Sequence, residues 1–243
     1  MIEVITMWYN EAFLVPFFLN HYSFADCVRI IDDAETTDGT AEIVSRYPNA
    51  IIEHIKFDDG FDNDIAVARL NQCYRQSKAD WVIGVDADEF VLTPNLPQYL
   101  KDRTEDVFMV RLYEVYRHID DRDLDPNIPI FDQRRHGDPG AVKGQNRKGM
   151  KPIVVRTGRD MKWMAGQHRI WNRHKLVTTS DVLLGVHWML ADPSSPFIER
   201  RLRGKLRQSR HNIAVGHSSH CNDVTEEKVR EQLGAHMHDG QVF

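Results

Sequence analysis

The first hundred residues predict an α/β fold with a mostly parallel central sheet flanked by helices, on three observations. Short, β-branched, nearly all-apolar runs stand at 2–8 (IEVITMW), 27–32 (CVRIID), 50–57 (AIIEHIKF) and 81–86 (WVIGVD), the texture of strands covered on both faces. The segments between them repeat their apolar residues at helical spacing. Three of the four runs end in polar or acidic residues, at the place where open α/β sheets bind ligands. The β-α alternation implies parallel neighbours joined by crossover helices.

Each element has its own local warrant. In NEAFLVPFFLNHY, Phe13, Leu14, Phe17, Phe18, His21 and Tyr22 recur at helical spacing, with Asn10 as the expected N-cap and Pro16 bending or shortening the second turn. TTDGTAEIVSRY offers Thr37 or Asp38 as a cap before Ala41, Val44 and Tyr47, and DNDIAVARLNQCYRQS carries Ala66, Leu70, Cys73 and Tyr74 on one face. VFMVRLYEVYRH (107–118) reads as a longer strand of mixed polarity. Residues 119–151 lose all periodicity, and 132–151 hold four glycines and six Lys or Arg. A flexible loop of that length is expected to be functional, here a lid over 133–151 that excludes water from the substrate. KPIVVRT and KLVTTSDVLLGVHWML are further strands. SPFIERRLRGKLRQSRHN is expected as one helix, 196–213, with Ser195 as N-cap and Pro196 leading, and a last helix is opened by Asp223 with Glu226 three residues on. Without repeats or low-complexity linkers, the expectation is a single domain, 1–243, in halves 1–105 and 106–243.

The totals narrow the class. A net charge of −5 over 243 residues argues against a nucleic-acid partner, which calls for a basic surface. No apolar run reaches the roughly 18 residues of a membrane span. MIEVITMW lacks the basic and apolar regions of a signal peptide, and Cys27, Cys73 and Cys221 fit no zinc spacing. A cytoplasmic location is expected.

Site chemistry concentrates at the strand ends. The apolar run WVIGVDADEF stops in Asp86, Asp88 and Glu89, while ITMWYNE and IIDDAETTDGT bring Asn10, Glu11, Asp32, Asp33 and Asp38 to two other ends. Unpaired buried carboxylates are costly and clustered ones repel. Two hard oxygen ligands at Asp86 and Asp88 suit Mg²⁺ or Mn²⁺ bound jointly with a phosphate, and such an ion would relieve the repulsion.

These three motifs, in this order and spacing over residues 1–95, resemble the N-terminal half of family 2 glycosyltransferases with the glycosyltransferase-A fold, in the subgroup whose metal motif reads Asp-x-Asp-Glu-Phe. The resemblance implies a nucleoside-diphosphate sugar donor, most readily UDP-linked, held by the half 1–105, with Asn10, Glu11, Asp33, Asp38, Arg69 and Asp86 on the nucleotide sugar. It implies Asp86 and Asp88 on the metal, and a histidine from the second half that completes the site; His187, at the end of an apolar strand, is the candidate. Ala34-Glu35-Thr36 departs from the family's small polar residues beside the base. The acceptor, expected to be a saccharide or lipid-linked glycan of a bacterial surface polymer, would meet the half 106–243.

The catalytic base has no clear motif. An inverting transfer needs a group to take the acceptor's proton, and Asp132, Asp138 and His168 are the candidates, with Asp181, Asp192 and Glu114 behind them. The basic helix 196–213 has readings as a solvated face, a grip on the diphosphate or an anionic acceptor, or a peripheral contact with an acidic membrane. Lys151, at the end of the lid, is a candidate phosphate contact. Two rivals are a sugar-nucleotide nucleotidyltransferase, disfavoured by the absence of Gly and Lys in TMWYNEA, and a nucleotide-sugar- or carbohydrate-binding protein without turnover.

Overall fold

The computed structural model describes residues 1–139, 150–217, 223–236 and 241–242. Its elements run β1 (Ile2–Trp8), α1 (Val15–His21), β2 (Cys27–Asp33), α2 (Thr40–Val44), β3 (Ala50–Ile55), α3 (Asn63–Gln76), β4 (Trp81–Gly84), β5 (Glu89–Val91), α4 (Leu96–Leu100) and β6 (Val107–Tyr116). They continue with α5 (Ile130–Gln133), β7 (His136–Pro139), β8 (Met150–Arg156), β9 (Met161–Trp163), β10 (Ile170–Asn172), β11 (Thr178–Leu190), α6 (Ser195–Leu206), α7 (Arg210–Val215), α8 (Glu226–His236) and β12 (Gln241–Val242).

The main sheet runs β12-β7-β6-β8-β4-β1-β2-β3, with β11 pairing β6 and β5. β4, β1, β2 and β3 are parallel; β4, β1 and β2 have the cover their apolar texture predicts, but β3, expected to be covered on both faces, is the half-exposed edge strand. β8 enters antiparallel between β4 and β6, and β11 lies parallel to β6. The fold is therefore mixed α/β, with strands of both halves in one sheet.

Alternate residues of the strands enter two cores. Val4, Val28, Ile30 and Ile83 pack with α1, where Phe17, Phe18 and Leu19 are buried. Ile5, Ile31 and Val82 pack on the other face with Leu70, Cys73 and Tyr74 of α3 and with Trp163. Asn71 accepts from Trp163 N at 2.8 Å and donates to Trp163 O at 2.9 Å, and the indole donates to Pro152 O at 2.8 Å. Burial of such a side chain contributes roughly 3 kcal/mol, and Gly84 leaves it room, since a Cβ there would lie 3.0 Å from the Trp163 ring.

Several local expectations are corrected. Asn10 does not cap α1; it sits at φ 53°, the N-cap is Leu14, and Pro16 falls in the first turn, where its missing N–H is harmless. The basic segment is two helices, because the chain leaves α6 after Leu206, bridges Phe61 through Gln208, and restarts at α7 under Ser209. Ser194, rather than Ser195, is the N-cap of α6. Thr225 accepts from Lys228 N at the start of α8, the part expected of Asp223. The stretch 119–151 is not uniformly irregular, since it contains α5, β7 and the start of β8; the middle of the expected lid, 140–149, lies outside the described residues. Among the described residues no helix is long and apolar enough to cross a membrane.

Candidate active site

The turns after β1 and β2 are tied to each other. Asn10 Oδ1 accepts from Thr37 N at 2.8 Å, Asp38 Oδ2 from Ala12 N at 2.8 Å, and Thr40 Oγ1 from Glu11 N at 3.1 Å. Asp38 Oδ1 also accepts from the Thr40 hydroxyl at 2.6 Å, and Gly39 at φ 85° opens α2 where a side chain would be strained. Asp38 and Asn10 thus brace the two turns against each other. Asp32 holds the Thr36 hydroxyl at 2.8 Å, and burial raises its carboxyl to about 6.

At the end of β4 the acids meet cations that arrive from far along the chain. Asp88 is 2% exposed, and its Oδ2 accepts from His187 Nε2 at 3.0 Å and from Arg200 Nη1. His187 Nδ1 lies 2.6 Å from Glu114 Oε1. Burial opposes protonation of His187, but the attraction of Glu114 and Asp88 wins and holds the imidazole well above its ordinary value. Each ring nitrogen faces a carboxylate oxygen, an arrangement that favours the protonated ring. Burial works against ionised Asp88 too, and Arg200 with His187 overcomes it, keeping this carboxyl well below the usual range.

Glu89 and Asp86 belong to a second, adjoining group. Lys151 Nζ bonds Glu89 Oε1 and lies 3.1 Å from Asp86 Oδ2, Gln167 Nε2 lies 3.3 Å from Asp86 Oδ1, and Glu89 Oε2 accepts from Asp86 N at 3.1 Å. Burial disfavours the ammonium, yet the two carboxylates outweigh it and push Lys151 above its ordinary range. The register explains the convergence: His187 of β11 stands between Glu89 of β5 and Glu114 of β6.

α6 lies across these strand ends, and two of its arginines, with the arginine just past its end, reach into them. Arg200 Nε spans both oxygens of Glu11 at 2.8 and 3.0 Å. Arg203 donates to Asn10 O at 2.7 Å. Arg207, just past the helix, donates to Asp33 Oδ2 at 2.7 Å while its guanidinium stacks 3.6 Å from the centre of the Tyr9 ring. The others also meet the protein: Arg201 lies against Met189, Lys205 donates to Val224 O, and Arg210 pairs with Asp59. The basic segment is thus largely spent on internal partners.

Of the residues expected on the nucleotide sugar, Glu11 shares Arg200 with Asp88, Asn10 and Asp33 meet Arg203 and Arg207 of the same segment, Asp38 braces the turns after β1 and β2, and Asp86 is held by Lys151. Arg69 stands apart, on Glu53 at 2.5 Å, in a chain that runs through Arg29 to Glu3. Of the three expected ligands, Asp88 and His187 come together, and Asp86 turns to Lys151 and Gln167 instead. Asp138 stands in register opposite Glu114, with Tyr116 Oη 3.5 Å from its Oδ2. Asp132 is exposed and paired with Arg135 at 2.7 Å, and His168 is exposed beside Gly166. Lys151 meets carboxylates where a phosphate was expected. Sequence reasoning gave no role to Arg200 at Asp88 or to Arg207 on Tyr9; the i, i+3, i+7 spacing of Arg200, Arg203 and Arg207 was the available signal, since it puts all three on one side of a helix.

The residues present suit a divalent ion. Asp88 Oδ2 and His187 Nε2 are 3.0 Å apart, near the ~3 Å separating adjacent ligands that each sit ~2.1 Å from one ion, and a carboxylate behind a ligating imidazole is the usual orienting arrangement. Five carboxyls, Glu11, Asp86, Asp88, Glu89 and Glu114, face three cations, Lys151, His187 and Arg200, and burial raises Glu89 and pushes Glu11 up to about 7. Asp88 and His187 are a pair; the set of three whose ligand atoms lie within 4.8 Å of one another among the described residues is Asp62, Asp64 and His211, where Asp62 also caps α3 and His211 pairs with Asp64 at 2.9 Å.

Carboxylates and arginines thus meet at the carboxyl ends of parallel strands, where α/β enzyme domains carry their sites. The profile of glycosyl transferase family 2 matches residues 4–160, and the chain belongs to that family as a glycosyltransferase domain. A search of curated protein sequences returns no match. Among solved structures, Staphylococcus aureus TarS is similar over 97% of this chain and 42% of its own, at 14% identity and a TM-score of 0.46. TarS 1–349 in complex with UDP-GlcNAc aligns over 97% of this chain and 71% of its own, at 15% identity and 0.47. HddC from Yersinia pseudotuberculosis aligns over 77% and 93%, at 9% and 0.41. The chain therefore spans under half the length of full TarS.

Proposed function

We propose that this domain moves a sugar from a nucleoside-diphosphate sugar, UDP-linked, to a saccharide or lipid-linked glycan acceptor of a surface polymer, with inversion and with Mn²⁺ or Mg²⁺. The observation that carries the reading is the Asp88–His187–Glu114 row at the strand ends, facing a crevice lined by Glu11, Asp33 and the α6 arginines. Asp88 and His187 would hold the ion, His187 giving up a proton to ligate, and Glu114 would fix the ring. Bound there, the ion supplies Lewis-acid stabilisation of the departing diphosphate.

The chain's own groups divide the remaining work. Asp33 and Tyr9 hold the nucleoside, with Arg207 yielding its place. Arg203 adds positive charge beside the diphosphate path. Asp138, opposite Glu114, is the base: as the acceptor oxygen bonds to the anomeric carbon, its proton passes to Asp138 and the bond to the diphosphate breaks with its electrons. Asp132, paired at the surface, and His168 are the lesser candidates.

The test is release of nucleoside diphosphate from a panel of sugar nucleotides with Mn²⁺, for the wild type, Asp88→Ala and Asp138→Asn. Turnover of one donor, abolished by Asp88→Ala and lost with retained donor binding in Asp138→Asn, is the expected result. Binding without turnover under all acceptors would indicate a non-catalytic binding domain. No donor binding by the wild type would refute the reading.

A further inference from the structure

Arg200 lies on the Asp88 oxygen that His187 also approaches, which is the atom an ion held by Asp88 and His187 has to reach. A guanidinium and a divalent cation repel each other at that range, and the more so where water is excluded. Arg200 does not depend on Asp88 alone, however. Its Nε is fixed by both oxygens of Glu11, on the turn after β1 and outside the Asp88–His187 pair. Losing Asp88 therefore leaves Arg200 tethered in the crevice with its Nη groups unspent, and a buried guanidinium without an anion is costly.

Resting on the metal reading of that pair, we propose that Arg200 is a built-in counter-ion that closes the metal position until ion and donor arrive together. Displaced from Asp88 but still held by Glu11, it turns its Nη groups onto the donor's diphosphate. Ion and diphosphate then bind cooperatively: the ion frees Arg200, and the diphosphate supplies the anion that Arg200 has lost. By linkage each strengthens the other equally. Arg203, one turn on and bonded to the Asn10 carbonyl, extends the same anion path.

The test is Mn²⁺ binding followed by electron paramagnetic resonance, with and without UDP, on the full chain carrying Asp64→Asn to silence the Asp62, Asp64 and His211 set. The comparison is among that background and the same chain with Arg200→Gln, Arg200→Lys or Asp88→Asn. In the background, UDP is expected to tighten Mn²⁺ binding roughly tenfold. Arg200→Gln is expected to bind Mn²⁺ alone roughly tenfold more tightly than the background and to lose most of the UDP enhancement. Arg200→Lys keeps the charge but cannot span both acids, so it should fall between them, and it serves if the Gln variant fails to fold. Equal or weaker Mn²⁺ binding by Arg200→Gln, or an undiminished UDP effect, would overturn the counter-ion role. Mn²⁺ bound as well by Asp88→Asn as by the background would instead overturn the metal reading beneath it.

Discussion

Lys151→Met is the perturbation that best tests how three acids are tolerated at the end of β4. Lys151 is 8% exposed and its ammonium bonds Glu89, itself 1% exposed. The methionine fills a similar volume, so packing changes little, but Glu89 keeps its charge with no cation beside it. Breaking a buried pair from one side costs about 3–5 kcal/mol. Asp86, more exposed, adds little. The sign with pH is fixed by Glu89. Burial raises its carboxyl, so the unpaired variant is penalised above the unfolded-state value and relieved as pH falls through the raised folded value. Urea unfolding should therefore show a deficit at pH 8 that shrinks by pH 5, and Lys151→Met with Glu89→Gln should recover most of it. A loss under about 1 kcal/mol at pH 8, or a deficit that grows on acidification, would refute the buried-pair account.

Other predictions probe the scaffold. Burial holds the His21 imidazole down to about 4, against 6.5, despite its contact with Val91 O. The unfolded chain takes the proton more readily, so stability present above pH 6.5 is lost toward pH 4, by at most about 3 kcal/mol because the ring is partly accessible. His21→Phe, which keeps the contacts with Tyr22 and Phe90, should flatten that acid slope in urea melts; an unchanged slope would exclude His21 as its source. Gly185→Ala puts a Cβ 2.8 Å from Leu112 and Val110 and 2.9 Å from Phe90 O, and should cost about 1–3 kcal/mol in thermal unfolding, with a neutral effect counting against the register of β11 between β5 and β6. Asn71→Ala strips both backbone partners from Trp163, and about 2 kcal/mol or more should be lost, checked by urea unfolding followed by tryptophan fluorescence.

The strands of the first half were legible because each is a β-branched apolar run; β1, β2 and β4 are buried as that texture predicts, while β3, at the sheet edge, is half-exposed. Helix starts were less so. Asn10 looks like a cap, but its side chain is used by Thr37 and its backbone is left-handed, which delays α1 to Val15. The break after Leu206 was hidden because Arg207, Gln208 and Ser209 suit a helix by propensity. What stops them is tertiary: Phe61 bonds Arg207 O and Ser209 N, and Ser209 then caps α7 at Asn212.

The same divide separates the acids of the site from their partners. Asp86, Asp88 and Glu89 sit together in sequence, so a single strand end reveals them. Their cations come through sheet topology that no local pattern encodes. β8 pairs antiparallel with β4, Val154 facing Ile83, and the same register carried three residues further sets Lys151 against Asp86. His187 reaches Asp88 because β11 is threaded between β5 and β6, and Arg200 because α6 returns over the crevice. An acidic motif read alone therefore calls for an external cation to balance it. The folded chain already supplies three, and this moves the question from whether charge is neutralised to which internal cation a substrate must displace. Arg200, shared between Glu11 and Asp88, is the one placed to give way without leaving the site.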